Sequence, residues 1–330
     1  MKNTFLIVDA SHLFNRSKYT VKGTPDEIAG MCLHIIFASL GKLWRVQKAD
    51  HIIFAFDGKS WRKSVYAPYK RNRAEKRALA TPAQQELDTI FYSAFSDFQK
   101  FITERTNCTV LYNPILEADD LVAGFIQSHP DDAHIVVSSD KDFVQLLADN
   151  VTMYDGIMDQ TITLNGIFDY KNNPVKDKKT GSPKMPDDPH WSVFEKAVRG
   201  CVTDNVFAAY PGARKKGSKN KVGMQEAFDD RNRQGFSWNA FMLTRWTDHE
   251  GLEHRVLDDY NRNVGLVDLS KQPDEICTVI SETIADACEP KSVPQLGFHF
   301  LKFCGKYELN KISDQANYFS QLLGTAFPRS

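Results

Sequence analysis

The sequence lacks the features that define membrane, secreted and zinc-ribbon proteins. Its longest apolar runs, at 5–8, 52–56 and 135–137, fall far short of the roughly 20 residues of a membrane helix. The short apolar run at the N-terminus ends in Asp9, so we predict no signal peptide. The six cysteines form no C-x-x-C pair, which argues against a zinc ribbon and favours reduced thiols in a cytosol-like compartment.

The chain also lacks an excess of positive charge. Its 41 lysines and arginines face 42 acids, for a net charge of −1, whereas nucleic-acid-binding proteins are usually basic. The total says nothing about separation of charge, so the positions of the charges matter more than their sum. The 330 residues suffice for one large domain or two ordinary ones.

Short β-rich runs alternate with longer helical patterns over the first 155 residues, which predicts an α/β fold with a mostly parallel sheet. Thr81-Pro82 is typical of a helix start. The predicted strands are 5–9, 51–57, 109–112, 134–138 and 151–154. The predicted helices between them are 24–48, 83–106, 117–128 and 141–148.

A proline-rich break at 171–190 is expected to be an exposed hairpin or linker. The sequence beyond it is mainly helical. The helices predicted there are 191–200, 222–230, 238–245, 273–287, 296–304 and 313–323. We therefore predict a catalytic α/β domain at 1–190 and a helical domain at 191–330.

Acids follow the predicted strands. In open parallel sheets a ligand site lies beyond the carboxyl ends of the strands, so these side chains are expected to converge. Close carboxylates repel one another unless cations lie among them, and a pair of hard divalent cations is the device used for phosphodiester hydrolysis. The alternative is that each acid caps a helix or lies on a solvated face. The seven acids are Asp9, Asp57, Glu117, Asp119, Asp120, Asp140 and Asp142.

Basic residues dominate the segment from Lys59 to Arg77, where eight cations face the single acid Glu75. Aromatic residues are interleaved with them, and this combination suits phosphate neutralisation and base stacking. A solvated charged loop is the alternative. The residues expected to contact nucleic acid or a phosphate are Arg62, Lys63, Tyr69, Lys70, Arg71 and Arg73.

A second basic run lies between Pro211-Gly212 and a predicted helix. A turn followed by a helix N-terminus can bind phosphate through backbone N–H groups. A localisation signal or a disordered loop is the alternative. Its cations are Arg214, Lys215, Lys216, Lys219 and Lys221.

Taken together, the motifs resemble the flap endonuclease (5′-nuclease) family, most closely the phage ribonuclease H branch of T-even-like phages. They occur in order from residue 7 to about residue 269. The motifs are Ile7-Val8-Asp9, Phe56-Asp57, Trp61-Arg62-Lys63, Tyr69-Lys70-Arg71-Asn72-Arg73, Glu117-Ala118-Asp119-Asp120, Ser139-Asp140-Lys141-Asp142-Phe143, Gly200 through Asp204-Asn205, Asp259-Tyr260-Asn261-Arg262-Asn263 and Leu266-Val267-Asp268-Leu269.

The resemblance implies a PIN-like 5′-nuclease fold with a helical arch at about 59–95 and a helix–turn–helix module at 200–230. It implies a magnesium-dependent 5′→3′ exonuclease and flap endonuclease acting on branched DNA and on RNA primers in RNA–DNA hybrids. Asp9, Asp57, Glu117, Asp119 and Asp120 would serve one metal, and Asp140, Asp142 and Asp204 the other. Lys70 and Arg73 would contact the scissile phosphate, and Tyr69 would stack on a base.

Further expectations also come from the resemblance. Mn²⁺ can substitute for Mg²⁺, and K⁺ is expected at the helix–turn–helix. Single-strand-binding protein and a sliding clamp are the expected protein partners of a monomeric enzyme. The location implied is the cytoplasm of a phage-infected bacterium.

One position departs from the family pattern G-D-x-x-D-N. Cys201 stands where the pattern has an aspartate of the second metal site. Since Mg²⁺ prefers oxygen ligands, we expect a weakened second site unless the cysteine has no metal role. Two alternative functions therefore remain: a binder of branched DNA that does not cleave it, and a ribonuclease of the related PIN type.

Overall fold

The computed structural model describes residues 2–18, 21–219 and 221–328. The chain divides into two compact units. One, here called the sheet unit, comprises residues 1–60, 80–186 and 275–330, and the other, the helical unit, comprises 61–79 and 187–274. The boundaries of these units differ from the predicted division at 190/191. The C-terminal residues belong to the sheet unit because residues 296–323 bury their apolar side chains in the same core as residues 6–56.

The sheet unit contains a seven-stranded sheet in the order β3-β2-β1-β4-β5-β6-β7. Strands β1 to β5 are parallel to one another. Strand β6 pairs in antiparallel orientation with both β5 and β7. The predicted mostly parallel α/β fold is confirmed, and each of the five predicted strands is present. The strands are β1 (Thr4–Asp9), β2 (His51–Ala55), β3 (Thr109–Leu111), β4 (Ala133–Val137), β5 (Val151–Asp155), β6 (Gln160–Thr163) and β7 (Gly166–Asp169).

Helices flank this sheet, and the predicted helix at 141–148 is a 3₁₀ helix, Lys141–Leu146. Thr81 caps its helix as predicted, with its side chain accepting from the Gln84 amide. The α-helices are α1 (Ala10–Lys18), α2 (Pro25–Gln47), α5 (Pro82–Arg105), α6 (Ala118–Ser128), α11 (Asp274–Ala287, whose first residue belongs to the helical unit), α12 (Leu296–Lys306), α13 (Asn310–Ser313) and α14 (Ala316–Gly324).

Aromatic rings form much of the core between α2, α5 and the C-terminal helices. Phe37 on α2 makes edge-on contacts with Phe98, Phe300 and Phe319. Helix α2 is long and apolar enough to cross a membrane by length and composition alone. Its residues Cys32, Leu33, Ile36, Phe37 and Leu40 are fully buried, as in a core helix.

The helical unit has its own aromatic core, in which Phe194 packs against Trp191, Phe228 and Trp238. The described residues of 200–219 and 221–223 contain no helix or strand. The predicted helix 238–245 ends early, since Arg245 begins a strand. Its elements are α3 (Arg62–Val65), α4 (Arg71–Ala78), α7 (Pro189–Arg199), α8 (Met224–Asp229), α9 (Phe236–Met242), the hairpin β8 (Arg245–Thr247) and β9 (Glu253–Arg255), and α10 (Val256–Val267).

Candidate active site

Parallel pairing brings the acids of the sheet unit to one edge of the sheet. Asp9, the last residue of β1, is in register with Ala55 of β2, and Val8 is in register with Val137 of β4. Asp57 and Asp140 therefore leave the sheet at the same edge as Asp9. Strand β3 ends beside β2, and the loop after it leads into α6 with its acids.

Asp9 is buried and receives two hydrogen bonds. The His12 amide donates to Oδ1 at 3.0 Å, and the Ser138 hydroxyl donates to Oδ2 at 3.0 Å. Burial, followed by the charge of Asp57, raises the pKa of Asp9 to about 7. The protein alone therefore does not compensate the negative charge of this carboxylate.

The loop after β2 and the start of α6 fix the next acids. The Ala118 amide donates to Asp57 Oδ1 at 2.9 Å, and Ser60 donates to Glu117 Oε2 at 3.0 Å. Asp120, fully buried, accepts from the Glu117 amide at 3.3 Å. Glycine is required at Gly58, since a Cβ there would lie 2.1 Å from the Asn113 carbonyl oxygen.

Asp140 both caps a helix and lies at the acidic edge. Its carboxylate accepts from the Asp142 amide at 3.0 Å, and its own amide donates to Ser138 at 3.1 Å. Ser138 thus links Asp9 to the segment that carries Asp140 and Asp142. Asp119, Asp140 and Asp142 are all partly exposed.

The seven acids of the sheet unit have the donor chemistry of a hard divalent cation. Across the parts of the chain that the structure describes, no three or more histidine, cysteine or acidic residues stand in a ready-made metal-binding arrangement. Five of these acids accept hydrogen bonds from serines or backbone amides: Asp9, Asp57, Glu117, Asp120 and Asp140. An all-oxygen donor set and an uncompensated charge at Asp9 nevertheless fit Mg²⁺, which keeps several waters and binds through few carboxylates.

Asp204 in the helical unit has a different environment. Arg73 donates to its Oδ1 at 2.9 Å, Lys70 lies 3.8 Å from the same atom, and Lys196 lies 3.5 Å from Oδ2. Burial raises the pKa of Asp204, but these three cations outweigh burial and lower it overall. Cys201 Sγ lies 3.4 Å from Asp204 Oδ2. The Asp204 carboxylate is thus paired with three cations next to a thiol, and its role as a ligand of a second magnesium ion remains a prediction.

The loop that carries Asp204 is held against residues 68–73 of the same unit. The Lys70 amide donates to the Asp204 carbonyl at 2.8 Å, and Asn205 donates to the Pro68 carbonyl at 2.7 Å. Gly200 has φ +73°, and a Cβ there would lie 2.3 Å from the Val206 carbonyl oxygen. The backbone geometry therefore requires glycine at the first position of the G-x-x-x-D-N pattern.

Two residues expected to contact nucleic acid are buried. Arg62 is 2% exposed, and its Nε donates to the Leu266 carbonyl at 2.7 Å. Tyr69 is 5% exposed and packs with Ala197, Val206 and Leu266, which corrects the expectation that its ring stacks on a base. Lys63, Arg71 and Arg73 are exposed, so their contact with nucleic acid remains a prediction.

The second basic run is exposed along its cationic side chains. Its predicted backbone phosphate site is already filled by Glu226, whose carboxylate accepts from the Gly217 and Gly223 amides at 3.0 Å. A role in binding phosphates therefore rests on the side chains. Lys215 also lies over the Trp191 ring, 5.2 Å from its centroid.

Sequence reasoning missed several residues of these surroundings. Ser60 and Ser138 orient acids, and Lys196 pairs with Asp204. Asp155, at the end of β5, accepts a hydrogen bond from Ser139 and is one more acid that follows a strand. Its position at the end of a predicted strand could have identified Asp155 from the sequence. Lys196 has no such signal, since a lysine near the end of a helix is ordinary.

The structure defines the class as α/β proteins with a mostly parallel sheet and a group of acids at the carboxyl ends of its strands. The family described as 5′-3′ exonuclease, N-terminal resolvase-like domain, matches residues 4–179. This match covers more than half of the chain, which therefore belongs to the 5′-3′ exonuclease family. The predicted membership of the 5′-nuclease family is confirmed, and the phage ribonuclease H branch remains a prediction.

Individual relatives agree with this assignment. A DNA polymerase I of Rhizobium leguminosarum is 30% identical over 171 residues, which are 51% of this chain and only 14% of the polymerase. The bacteriophage T5 D15 protein, co-crystallised with metal ions, is 20% identical, with TM-score 0.57 over 96% of this chain and 98% of that one. A structure of the D15 flap endonuclease described as a pseudo-enzyme-product complex with DNA and metal ions is 21% identical, with TM-score 0.57 over 95% and 100%. The T5 structures share the fold.

Proposed function

We propose that this chain is a divalent-metal-dependent 5′→3′ exonuclease and flap endonuclease that hydrolyses phosphodiesters in branched DNA and RNA–DNA hybrids, including RNA primers. The observation that carries the proposal is the convergence of acids from four segments at one sheet edge in a 5′-3′ exonuclease domain. The T5 relatives described with metal ions and DNA support the cofactor and substrate classes.

Within the sheet unit, metal ligation is assigned to the seven acids at the sheet edge. Asp9, Asp57, Glu117, Asp119 and Asp120 would hold a first Mg²⁺, and Asp140 and Asp142 would contribute to a second. Bound divalent cations activate water and stabilise the charge that develops on the leaving oxygen. The His12 amide, Ser138, Ser60 and the Ala118 amide keep the acids oriented through their hydrogen bonds.

Lys70 and Arg73 are assigned to electrostatic stabilisation of the scissile phosphate. Both face Asp204 in the free protein, at 3.8 and 2.9 Å. A phosphate oxygen would take over the place of the Asp204 carboxylate, since both present anionic oxygens to the Lys70 ammonium and the Arg73 guanidinium. The proposal also includes contacts of DNA with Lys63, Arg71 and the second basic run. It further includes a K⁺ ion bound near residues 200–230. The proposed protein partners are a single-strand-binding protein and a sliding clamp.

One assay tests this function. The protein is incubated with a labelled 5′-flap DNA, an RNA–DNA hybrid and single-stranded RNA, each with Mg²⁺ or Mn²⁺. Cleavage of the flap and the hybrid, abolished by Asp140→Asn, supports the proposal. Cleavage of single-stranded RNA alone contradicts it and supports a PIN-type ribonuclease.

A second candidate function is a non-cleaving binder of branched DNA. The observation that favours it is the pairing of Asp204 with Lys70, Arg73 and Lys196 beside Cys201. The same assay distinguishes it, because a binder retains the flap substrate in a gel-shift experiment and leaves it uncut with either metal.

A further inference from the structure

Phe207 is a large apolar side chain that the helical unit leaves exposed. Its neighbours Val206 and Ala209 are buried, whereas the Phe207 side chain is 58% exposed. A lone exposed apolar residue is ordinary on a protein surface. The features that distinguish Phe207 are the rigidity of its backbone and the charges on the adjoining segment.

The backbone of Phe207 is clamped on both sides. Asn263, fully buried, donates to the Phe207 carbonyl oxygen at 2.8 Å. The Phe207 amide donates to the Tyr66 hydroxyl oxygen at 3.4 Å, and the two rings meet edge-on with centroids 6.3 Å apart. The ring is therefore supported from one side and offers solvent a positioned aromatic surface.

Cations lie on the segment bonded to the same loop. Asn72 donates to the Val202 carbonyl at 2.9 Å, and the Lys70 amide donates to the Asp204 carbonyl at 2.8 Å. Helix α4, which begins there, buries none of its residues, and its cations outnumber its single acid, Glu75. The Arg71 and Arg73 side chains are 73% and 52% exposed.

An exposed ring beside a track of cations matches the chemistry of a single-stranded nucleic acid, which presents base faces and phosphates alternately. We propose that Phe207 is a stacking platform for an unpaired base, while residues 70–77 hold the neighbouring phosphates. This inference rests on the proposed function and assigns to Phe207 the stacking expected of Tyr69, whose ring is buried.

Binding measurements with Ca²⁺ in place of Mg²⁺ test the inference without cleavage. Fluorescence anisotropy with labelled oligothymidylate and with a 5′-flap DNA compares the wild type with Phe207→Ala, Phe207→Leu and Phe207→Trp. We expect Ala and Leu to weaken binding at least about fivefold and Trp to preserve it, since the loss of one stacked base has that size. Phe298→Ala is the matched control, as this side chain is 63% exposed in the sheet unit.

A second readout locates the effect. With 2-aminopurine as the first unpaired base of the flap, the wild type should quench fluorescence and Phe207→Ala should relieve the quenching. Phe207→Ala and Phe207→Leu should leave the affinity for blunt duplex DNA unchanged. Equal affinity of the wild type and Phe207→Ala for the flap overturns the inference while leaving the proposed function intact. Absence of any DNA binding by the wild type overturns both.

Discussion

Asp9 is a residue at which folding and metal binding make opposite demands. Its pKa is raised from 3.8 to about 7 by burial and by Asp57. The folded protein therefore holds a proton that the unfolded chain releases at lower pH, and stability falls as pH rises between these values. Above pH 7 the destabilisation is complete, unless a cation compensates the charge.

We predict that Asp9→Asn stabilises the metal-free protein at pH 8. The effect should be small near pH 3.5, where Asp9 is protonated in the folded protein and mostly protonated in the unfolded chain. The melting temperature at pH 8 in EDTA should rise by several degrees, because the buried charge is removed. With Mg²⁺ at millimolar concentration the gain should shrink, since only the wild type retains this ligand. A lower melting temperature of the variant at pH 8 in EDTA would contradict the role assigned to Asp9.

Cys201 is the residue at which this chain departs from the family pattern. Cys201→Asp places a second carboxylate beside Asp204, where Sγ now lies 3.4 Å from Oδ2. We predict a Mg²⁺-dependent flap cleavage rate at least several-fold higher and tighter Mn²⁺ binding in a titration. Cys277→Asp, at an exposed cysteine of the sheet unit, is the control. An unchanged rate and unchanged Mn²⁺ affinity would show that the cysteine does not weaken a metal site.

At the scale of elements, the loop after α7 depends on Gly200. Gly200 and Gly212 both have positive φ, at +73° and +75°, but only Gly200 has atoms where a Cβ would go. Gly212→Ala should therefore cost about 1–2 kcal/mol of stability through backbone strain alone. Gly200→Ala should cost more, because the Val206 carbonyl oxygen must move. Calorimetric unfolding of both variants measures the difference, and equal losses would refute the close contact.

The elements that the sequence predicted correctly share a physical property. Strands β1, β2 and β4 are buried on both faces, so their apolar residues form continuous runs. Strands β6 to β9 are short and partly exposed and have no such run. The acids of the sheet unit were predictable for the same reason, since their positions follow the ends of recognisable strands.

Other parts of the site depend on tertiary contacts that leave no local pattern. Tyr69 lies among cations in the sequence, yet its ring is buried between residues of α7 and α10. Arg62 likewise belongs to a basic run, but Leu266, far along the chain, accepts its hydrogen bond. Long-range packing overrides the local charge pattern at both positions, so a basic segment alone did not reveal which side chains face solvent.

At the scale of the whole molecule, the near-zero net charge is the sum of two opposite local excesses. Seven acids gather at the edge of the sheet unit, while α4 and the run 214–221 carry exposed cations. A nuclease needs both, because metal ions require carboxylates and nucleic acid requires cations. The Asp9→Asn melting series tests the acidic half, and the Phe207 binding series tests the basic half.

The C-terminal helices complete the core of the sheet unit. Phe303 stacks on Phe101 with centroids 4.6 Å apart, and the Asn107 amide donates to the Leu323 carbonyl at 2.9 Å. A chain of residues 1–190 lacks these helices and would expose Phe37 and Phe101 to water. We predict that it unfolds without a cooperative thermal transition and binds a hydrophobic dye, as a loosely packed core does.

Adding a separate chain of residues 275–330 tests whether the missing contacts of the C-terminal helices cause the loss of cooperative unfolding. It should restore a cooperative transition and abolish dye binding, because it resupplies the aromatic side chains of α12 and α14. A variant of the added chain with Phe300→Asp is the control, since a charge at a fully buried position prevents docking. If residues 1–190 alone unfold cooperatively, the core is complete without the C-terminal helices, and the division at 190/191 describes the folding of this chain better than the two compact units do.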